Sequence, residues 1–214
     1  FYTSLIIDQL EYRSQEGDDL ARLDVEGWAG GDTNRIWLRS EAETRTSGPT
    51  DGRFEGTLFY ARHVAPFVDL LVGVREDVVF GAAVADRRRT LAALSLDWFV
   101  PGRIDLEPNI FVSDEGDVST RLTATSDLFL TQKLIAQARF EVNASASDAR
   151  SFGVKSGFND VELGLRLRYE VRREFAPYLG VGWVQRLGDT ADLAKARGER
   201  ESEVALAAGI RFWF

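Results

Sequence analysis

Apolar and polar residues alternate with a period of two along most of this chain, most cleanly at its C-terminal end. There Val204, Leu206, Ala208, Ile210, Phe212 and Phe214 fall on one phase, with Ala205, Ala207, Gly209, Arg211 and Trp213 on the other. One continuous apolar face opposite a mixed one is the pattern of a β-strand. In water, an exposed terminal strand ending on Phe is an aggregation hazard. At the closing seam of a transmembrane barrel the same face meets lipid.

Twelve such segments are expected, near 2–13, 22–30, 35–43, 54–63, 67–76, 90–99, 104–113, 119–129, 133–143, 160–171 and 177–187, then the terminal strand. The second, fourth, sixth, eighth and tenth connections are short. Most of the others read as longer polar loops, at Ser14–Asp19, Ser47–Gly52, Phe80–Arg89, around Ser145–Gly157, and at Gly188–Ser202. Short turns at one end and longer loops at the other predict an all-β, up-and-down antiparallel barrel of twelve strands, with both termini at the short-turn end. No linker or composition shift divides residues 1–214, so one domain is expected.

Alternation alone does not separate a barrel from a soluble β-sandwich, because either would segregate the two faces. The make-up of the polar face favours the barrel. In the tenth segment Val161, Leu163, Leu165, Leu167 and Tyr169 oppose Glu162, Gly164, Arg166, Arg168 and Glu170. In the third, Ile36, Leu38 and Ala42 oppose Trp37, Arg39, Glu41 and Glu43. These polar faces interleave acids with arginines and contain hardly any lysine, the residue soluble sheets use to protect their edges. Such a mixture suits a lumen of hydrogen-bonded ion pairs. Phe67, Trp98, Tyr178, Trp183, Phe212 and Phe214 near segment ends predict an interfacial girdle. The first segment is ambiguous: with Gln9 and Glu11 inward, Asp8 would face lipid unless a bulge intervenes.

Composition narrows the classes. No apolar run approaches the roughly 18 to 20 residues of a spanning helix, which leaves β-spans open. A net charge of −8 argues against a nucleic-acid partner. Without Cys there are no disulfides or thiolate metal sites. Met is absent even at the start, so a mature or trimmed chain is expected.

With these phases the lumen gathers Asp24, Glu26, Glu41, Glu43, Asp69, Asp97, Asp105, Glu107, Asp127, Glu141, Glu162 and Glu170. Against them stand Arg39, Arg75, Arg121, Arg139, Arg166, Arg168 and Arg211. The acid excess favours cations; ion pairing that simply fills the interior is the alternative. A metal site here would be weak and oxygen-dominated, drawn from Asp24, Glu26, Glu41 and Glu43, with His63, the only histidine, as the single imidazole. No Gly-x-Ser-x-Gly or phosphate loop is present, and a hydrolase would have to be built around His63 alone, so no enzymatic activity is expected.

Several stretches resemble the copper resistance protein B family of Gram-negative outer-membrane proteins. They are Trp28–Glu43, Ala65–Arg75, Asp127–Ile135, Leu163–Val181, Gly188–Asp192 and the Arg211-Phe-Trp-Phe214 end. The resemblance implies a monomeric barrel in outer-membrane lipid, with copper ion as the bound or moved species and periplasmic copper-handling proteins as partners. Family members typically carry a Met- and His-rich segment before the barrel, and this sequence starts at Phe1 without one. A general channel for small solutes or cations is the second reading.

Overall fold

The computed structural model describes residues 1–214 except 18, 48–50, 82–83 and 150–151, and the side chains of 84–86. Twelve antiparallel strands follow one another round a closed barrel: β1 (Tyr2–Gln15), β2 (Leu20–Gly30), β3 (Asn34–Arg45), β4 (Asp51–Ala65), β5 (Val68–Gly81), β6 (Val84–Val100), β7 (Ile104–Ser113), β8 (Val118–Phe129), β9 (Leu134–Ser145), β10 (Gly157–Tyr169), β11 (Phe175–Arg186) and β12 (Ser202–Trp213). The last strand pairs with the first, Phe212 opposite Ile7 and Ala205 opposite Gln15, so neither sheet edge is left open.

The pleat sorts the side chains as the alternation requires. Leu38, Leu58, Val72, Ile110, Leu165, Leu179 and Leu206 are exposed on the outer surface, where lipid covers them. The buried residues lie on the inner face. One wall, from β3 to β7, carries an apolar cluster of Trp37, Phe59, Ala61, Leu71, Leu91, Ala93 and Phe111, with Trp28 packed against it. Most of the remaining inner face is polar or charged, with Ile135, Ala176, Tyr178, Ala205 and Ala207 buried among those groups.

Three expectations need correction, and one left open is settled. The segment Phe80–Arg89 is not a polar loop. β5 runs to Gly81 and β6 starts at Val84, so this connection is short and its residues 82–83 lie outside the described set. The loops at Ser14–Asp19, Ser47–Gly52 and Ser145–Gly157 likewise contain undescribed residues, at 18, 48–50 and 150–151. The segment Gly188–Ser202 is not wholly loop: it holds a short helix, α1 (Gly188–Ala196), packed against β10. Tyr178 is not in the girdle. It points inward, 5% exposed, because it alternates with Leu179 and Val181, which face outward. Finally, β1 contains the bulge that its polar pattern demanded. Its register against β2 shifts between Ile7 and Gln9, and against β12 between Ile7 and Leu10. The extra residue lets Asp8 turn away from lipid and pair with Arg211 at 2.9 Å while Gln9 and Glu11 stay buried.

Candidate functional site, the charged lumen

The inner face is crossed by ion pairs that join strands far apart round the wall. Glu162 of β10 takes Arg13 of β1 and Arg22 of β2, each at 3.2 Å. Arg22, 2% exposed, continues to Glu41 of β3 at 2.7 Å. Arg121 of β8 reaches Glu55 of β4 at 3.0 Å and Glu141 of β9 at 3.3 Å. Arg75 of β5 holds the other side of Glu55 at 2.7 Å and Asp77 at 2.5 Å, and Asp77 goes on to Arg89 of β6. β4 and β8 are separated by β5, β6 and β7 in the closed strand order, so the Glu55–Arg121 pair cuts across the lumen rather than joining neighbouring strands. Arg139 adds a second bridge, from Glu141 at 3.0 Å toward Asp24 of β2 at 3.9 Å.

A smaller group stands at the β11–β12–β1 seam. Glu11 accepts a hydrogen bond from the Tyr178 hydroxyl at 2.8 Å and lies 3.4 Å from Arg166 and 2.5 Å from Arg13. Toward the short-turn end, Arg168 pairs with Asp127 at 2.8 Å, and Gln137 donates to the other Asp127 oxygen. Buried pairs of this kind hold together only where each charge finds partners, since desolvating an ion costs several kcal/mol.

Charge is shared unevenly along the barrel axis. Near the short-turn end Glu26, Asp97, Asp105 and Glu107 gather round one guanidinium. Arg39 lies 2.7 Å from Glu107, 3.3 Å from Asp97 and 4.0 Å from Glu26, whereas Asp105 has a buried oxygen with no hydrogen-bond donor among the described residues. The β6–β7 ladder is interrupted here, between the Ser95–Asn109 and Trp98–Leu106 pairs, because Pro108 has no N–H to give. Between this acidic group and the bridging pairs lies a cavity of about 100 Å³, lined by Asp24, Glu26, Arg39, Glu41, Glu55, Glu107, Arg121, Arg139 and the rings of Phe59 and Phe111. It has room for a few water molecules.

The carboxylates singled out as metal ligands are all present on the inner face, each engaged by an arginine or an indole. Glu41 is held by Arg22; Glu43 lies 3.9 Å from Arg53; Asp24 faces Arg139; and Glu26 accepts the Trp37 indole N–H at 2.8 Å. Among the described residues no three acids or histidines stand close enough to share an ion, so Asp24, Glu26, Glu41 and Glu43 do not converge as a set. His63 lies apart from them, at the short-turn mouth, with its Nδ1 2.8 Å from Asp69.

Sequence reasoning left Asp8 and Glu11 undecided with the phase of the first strand, and it missed Glu55, Asp77 and Asp160 among the inward acids and Arg13, Arg22, Arg35, Arg53 and Arg89 among the arginines. Arg22 shares the phase of Asp24 and Glu26, and Glu55 that of Phe59 and His63; both lie inside the expected segments 22–30 and 54–63, so carrying the phase to the first residues of those segments finds them.

A family model described as copper resistance protein B precursor matches residues 1–214. Copper resistance protein B of Escherichia coli is 43% identical over 210 residues, covering 98% of this chain and 69% of that protein. The copper resistance protein B homolog of Pseudomonas syringae pv. tomato is 37% identical, with 98% and 69% covered. Among solved structures the barrel resembles the NanC porin, at a TM-score of 0.61 with 15% identity and 99% of each chain covered. It also resembles the KdgM porin, at 0.58 with 11% identity and 98% of each chain covered. Outer membrane phospholipase A from Escherichia coli aligns at 0.58 with 10% identity, covering 99% of this chain and 92% of that one. At such identities these likenesses speak for the outer-membrane barrel fold alone. The sequence matches go further: this chain belongs to the copper resistance protein B family.

Proposed function

We propose that the protein serves copper resistance at the outer membrane as a non-enzymatic barrel. Its lumen draws copper ions into an acidic vestibule at the short-turn end and is closed to bulk flow by the ion-pair belt above. The observation that carries this reading is the axial asymmetry. Glu26, Asp97, Asp105 and Glu107 share the single Arg39, whereas Glu41, Glu55, Glu141 and Glu162 in the bridges are met by Arg13, Arg22, Arg75, Arg121 and Arg139. A low-dielectric channel with unneutralised carboxylates concentrates cations. Short turns of such barrels face the periplasm, so the vestibule receives ions from that side. Copper and its periplasmic handlers enter through the family membership, and the lumen accounts for the preference for cations.

The test is copper tolerance of cells lacking their own protein and complemented with this barrel, with the barrel carrying Asp97→Asn, Asp105→Asn and Glu107→Gln together, or with neither. The wild-type barrel raises the tolerated copper concentration severalfold, and the triple variant falls back to the level of empty cells while still reaching the membrane. Equal protection by both barrels would remove the vestibule from the account and leave the general-channel reading.

A further inference from the structure

Inside the lumen Arg13, Arg22, Arg39, Arg75, Arg121 and Arg139 each meet at least one carboxylate. A group of cations at the short-turn end does not. Among the described residues Arg62, Arg103, Lys133, Arg172 and Arg173 have no acid within ion-pair distance, and all of them are exposed. They stand on or beside the successive β4–β5, β6–β7, β8–β9 and β10–β11 turns, along one arc of the rim. These turns are laced together. The Phe99 N–H donates to the Phe67 carbonyl at 3.0 Å, the Arg103 guanidinium lies 5.1 Å from the centre of the Phe129 ring, and the Glu170 N–H donates to the Lys133 carbonyl at 2.7 Å. Acids nearby do little to offset the charge. Asp32 belongs to the β2–β3 turn outside the arc, Glu170 faces Arg168 at 3.9 Å, and Glu174 alone is exposed among the cations. Arg103 also holds a left-handed backbone, with φ 66. A residue with a Cβ adopts it at a cost, and such strain collects where a side chain must be presented in one direction.

The cations end rows of side chains that face lipid. Tyr60, two residues before Arg62 on the same face, is 50% exposed, and Leu128, Phe129, Tyr169 and Val171 are exposed on the neighbouring strands. Aromatic residues at the end of a lipid-facing surface mark the headgroup level. In a barrel whose short turns face the periplasm, that level belongs to the periplasmic leaflet. Arginine and lysine just beyond it lay their stems along the rings and extend their charge to the phosphates, and the guanidinium fork matches two phosphate oxygens. We infer that the arc from Arg62 to Arg173 binds the headgroups of anionic phospholipid in the periplasmic leaflet. Lipid fits better than an acidic soluble protein because the charges continue the apolar outer surface instead of standing apart from it. Lipid binding here depends on the seat of the barrel in the outer membrane and on none of the copper chemistry. It also has a consequence for the lumen. Bare, these cations would repel a positive ion approaching the acidic vestibule at the same end, and bound phosphates cancel that repulsion.

The test is native mass spectrometry of the full chain refolded in detergent and titrated with phosphatidylglycerol and phosphatidylethanolamine in equal amounts. Wild type retains phosphatidylglycerol in preference, by about five-fold for each cation that engages a headgroup. The double variant Arg103→Gln, Lys133→Gln, verified as folded by its heat-modifiable migration on gels, binds phosphatidylglycerol at least about five-fold more weakly. Its affinity for phosphatidylethanolamine stays as it was. Arg88→Gln, which removes an exposed cation toward the other end of the barrel, changes neither affinity. Absence of a phosphatidylglycerol preference in wild type overturns the inference, as does an unaltered affinity in the double variant or an equal loss in Arg88→Gln. Because the readout contains no copper, the preference without any gain in cellular copper tolerance would sink the proposed function and leave the lipid arc standing. Tolerance without the preference would do the reverse.

Discussion

At the scale of single residues, the seam where the barrel closes depends on a glycine. A Cβ on Gly209 would lie 2.6 Å from the Tyr178 ring and hydroxyl and 2.7 Å from Cβ of Glu11. The missing side chain leaves the place that Tyr178 fills, an aromatic covering a glycine on the neighbouring strand. From there its hydroxyl reaches Glu11, and Glu11 is held by Arg13 and Arg166. Gly209→Val must therefore displace the ring and strip a hydrogen bond from a buried carboxylate, an expected loss of about 3 kcal/mol or more. Urea titration of the barrel refolded in lipid checks this, and an unchanged midpoint would mean that the seam repacks freely. The sequence pattern placed Gly209 and Arg211 on the inward row. Tyr178 was misplaced because a tyrosine near a strand end suits a girdle as well as a lumen, although its alternation with the outward Leu179 and Val181 puts it inside. Asp8 was illegible for a related reason: a period of two carries no record of a one-residue bulge.

At the scale of elements, the strands were readable because lipid enforces one apolar face along nearly all of them. Leu163, Leu165 and Leu167 on β10 and Ile36 and Leu38 on β3 are exposed outward, with Arg166, Arg168 and Trp37 buried inward. That constraint ends where the chain leaves the membrane, and there the reading failed. β5 and β6, 14 and 17 residues long, exceed the roughly 9 to 11 needed to cross. Their outer parts have no lipid to satisfy, so Asp-Arg-Arg-Arg89 looks like a loop although it pairs as strand. Helix α1 was hidden in the same way: nine residues give too few turns for a convincing 3.6 period. Thr190 anchors it. Its hydroxyl oxygen accepts from the Lys155 backbone N–H at 3.1 Å and from Asn159 at 3.0 Å, tying helix, loop and β10 together. In Thr190→Val those donors lose their partner at a cost of about 1–3 kcal/mol. Protease cleavage within residues 146–156 then speeds up by roughly ten-fold or more, while heat-modifiable migration of the barrel stays as it was. Cleavage at the wild-type rate would show that α1 is held by other contacts.

At the scale of the whole molecule, a twelve-strand wall leaves an interior between a packed eight-strand barrel and an open porin, and this chain fills it from two sides. The apolar cluster lines one wall from β3 to β7, and the cross-lumen ion pairs occupy much of the remainder beside a cavity of about 100 Å³. The charged half of that filling was legible in the alternation. The apolar half was not, since Phe59, Leu71 and Phe111 look like lipid-facing residues until strand phase is fixed. The family match speaks for copper resistance, and our proposal adds that cations are held in the lumen rather than streaming through. Planar-bilayer recording of the purified barrel tests that claim most directly, with Arg121→Ala alongside as the variant that breaks the Glu55–Arg121–Glu141 bridge. The account predicts that wild type gives no stable steps of open-porin size, while Arg121→Ala gives discrete, cation-selective openings. Large steady steps from wild type, or openings selective for anions in either protein, would contradict it.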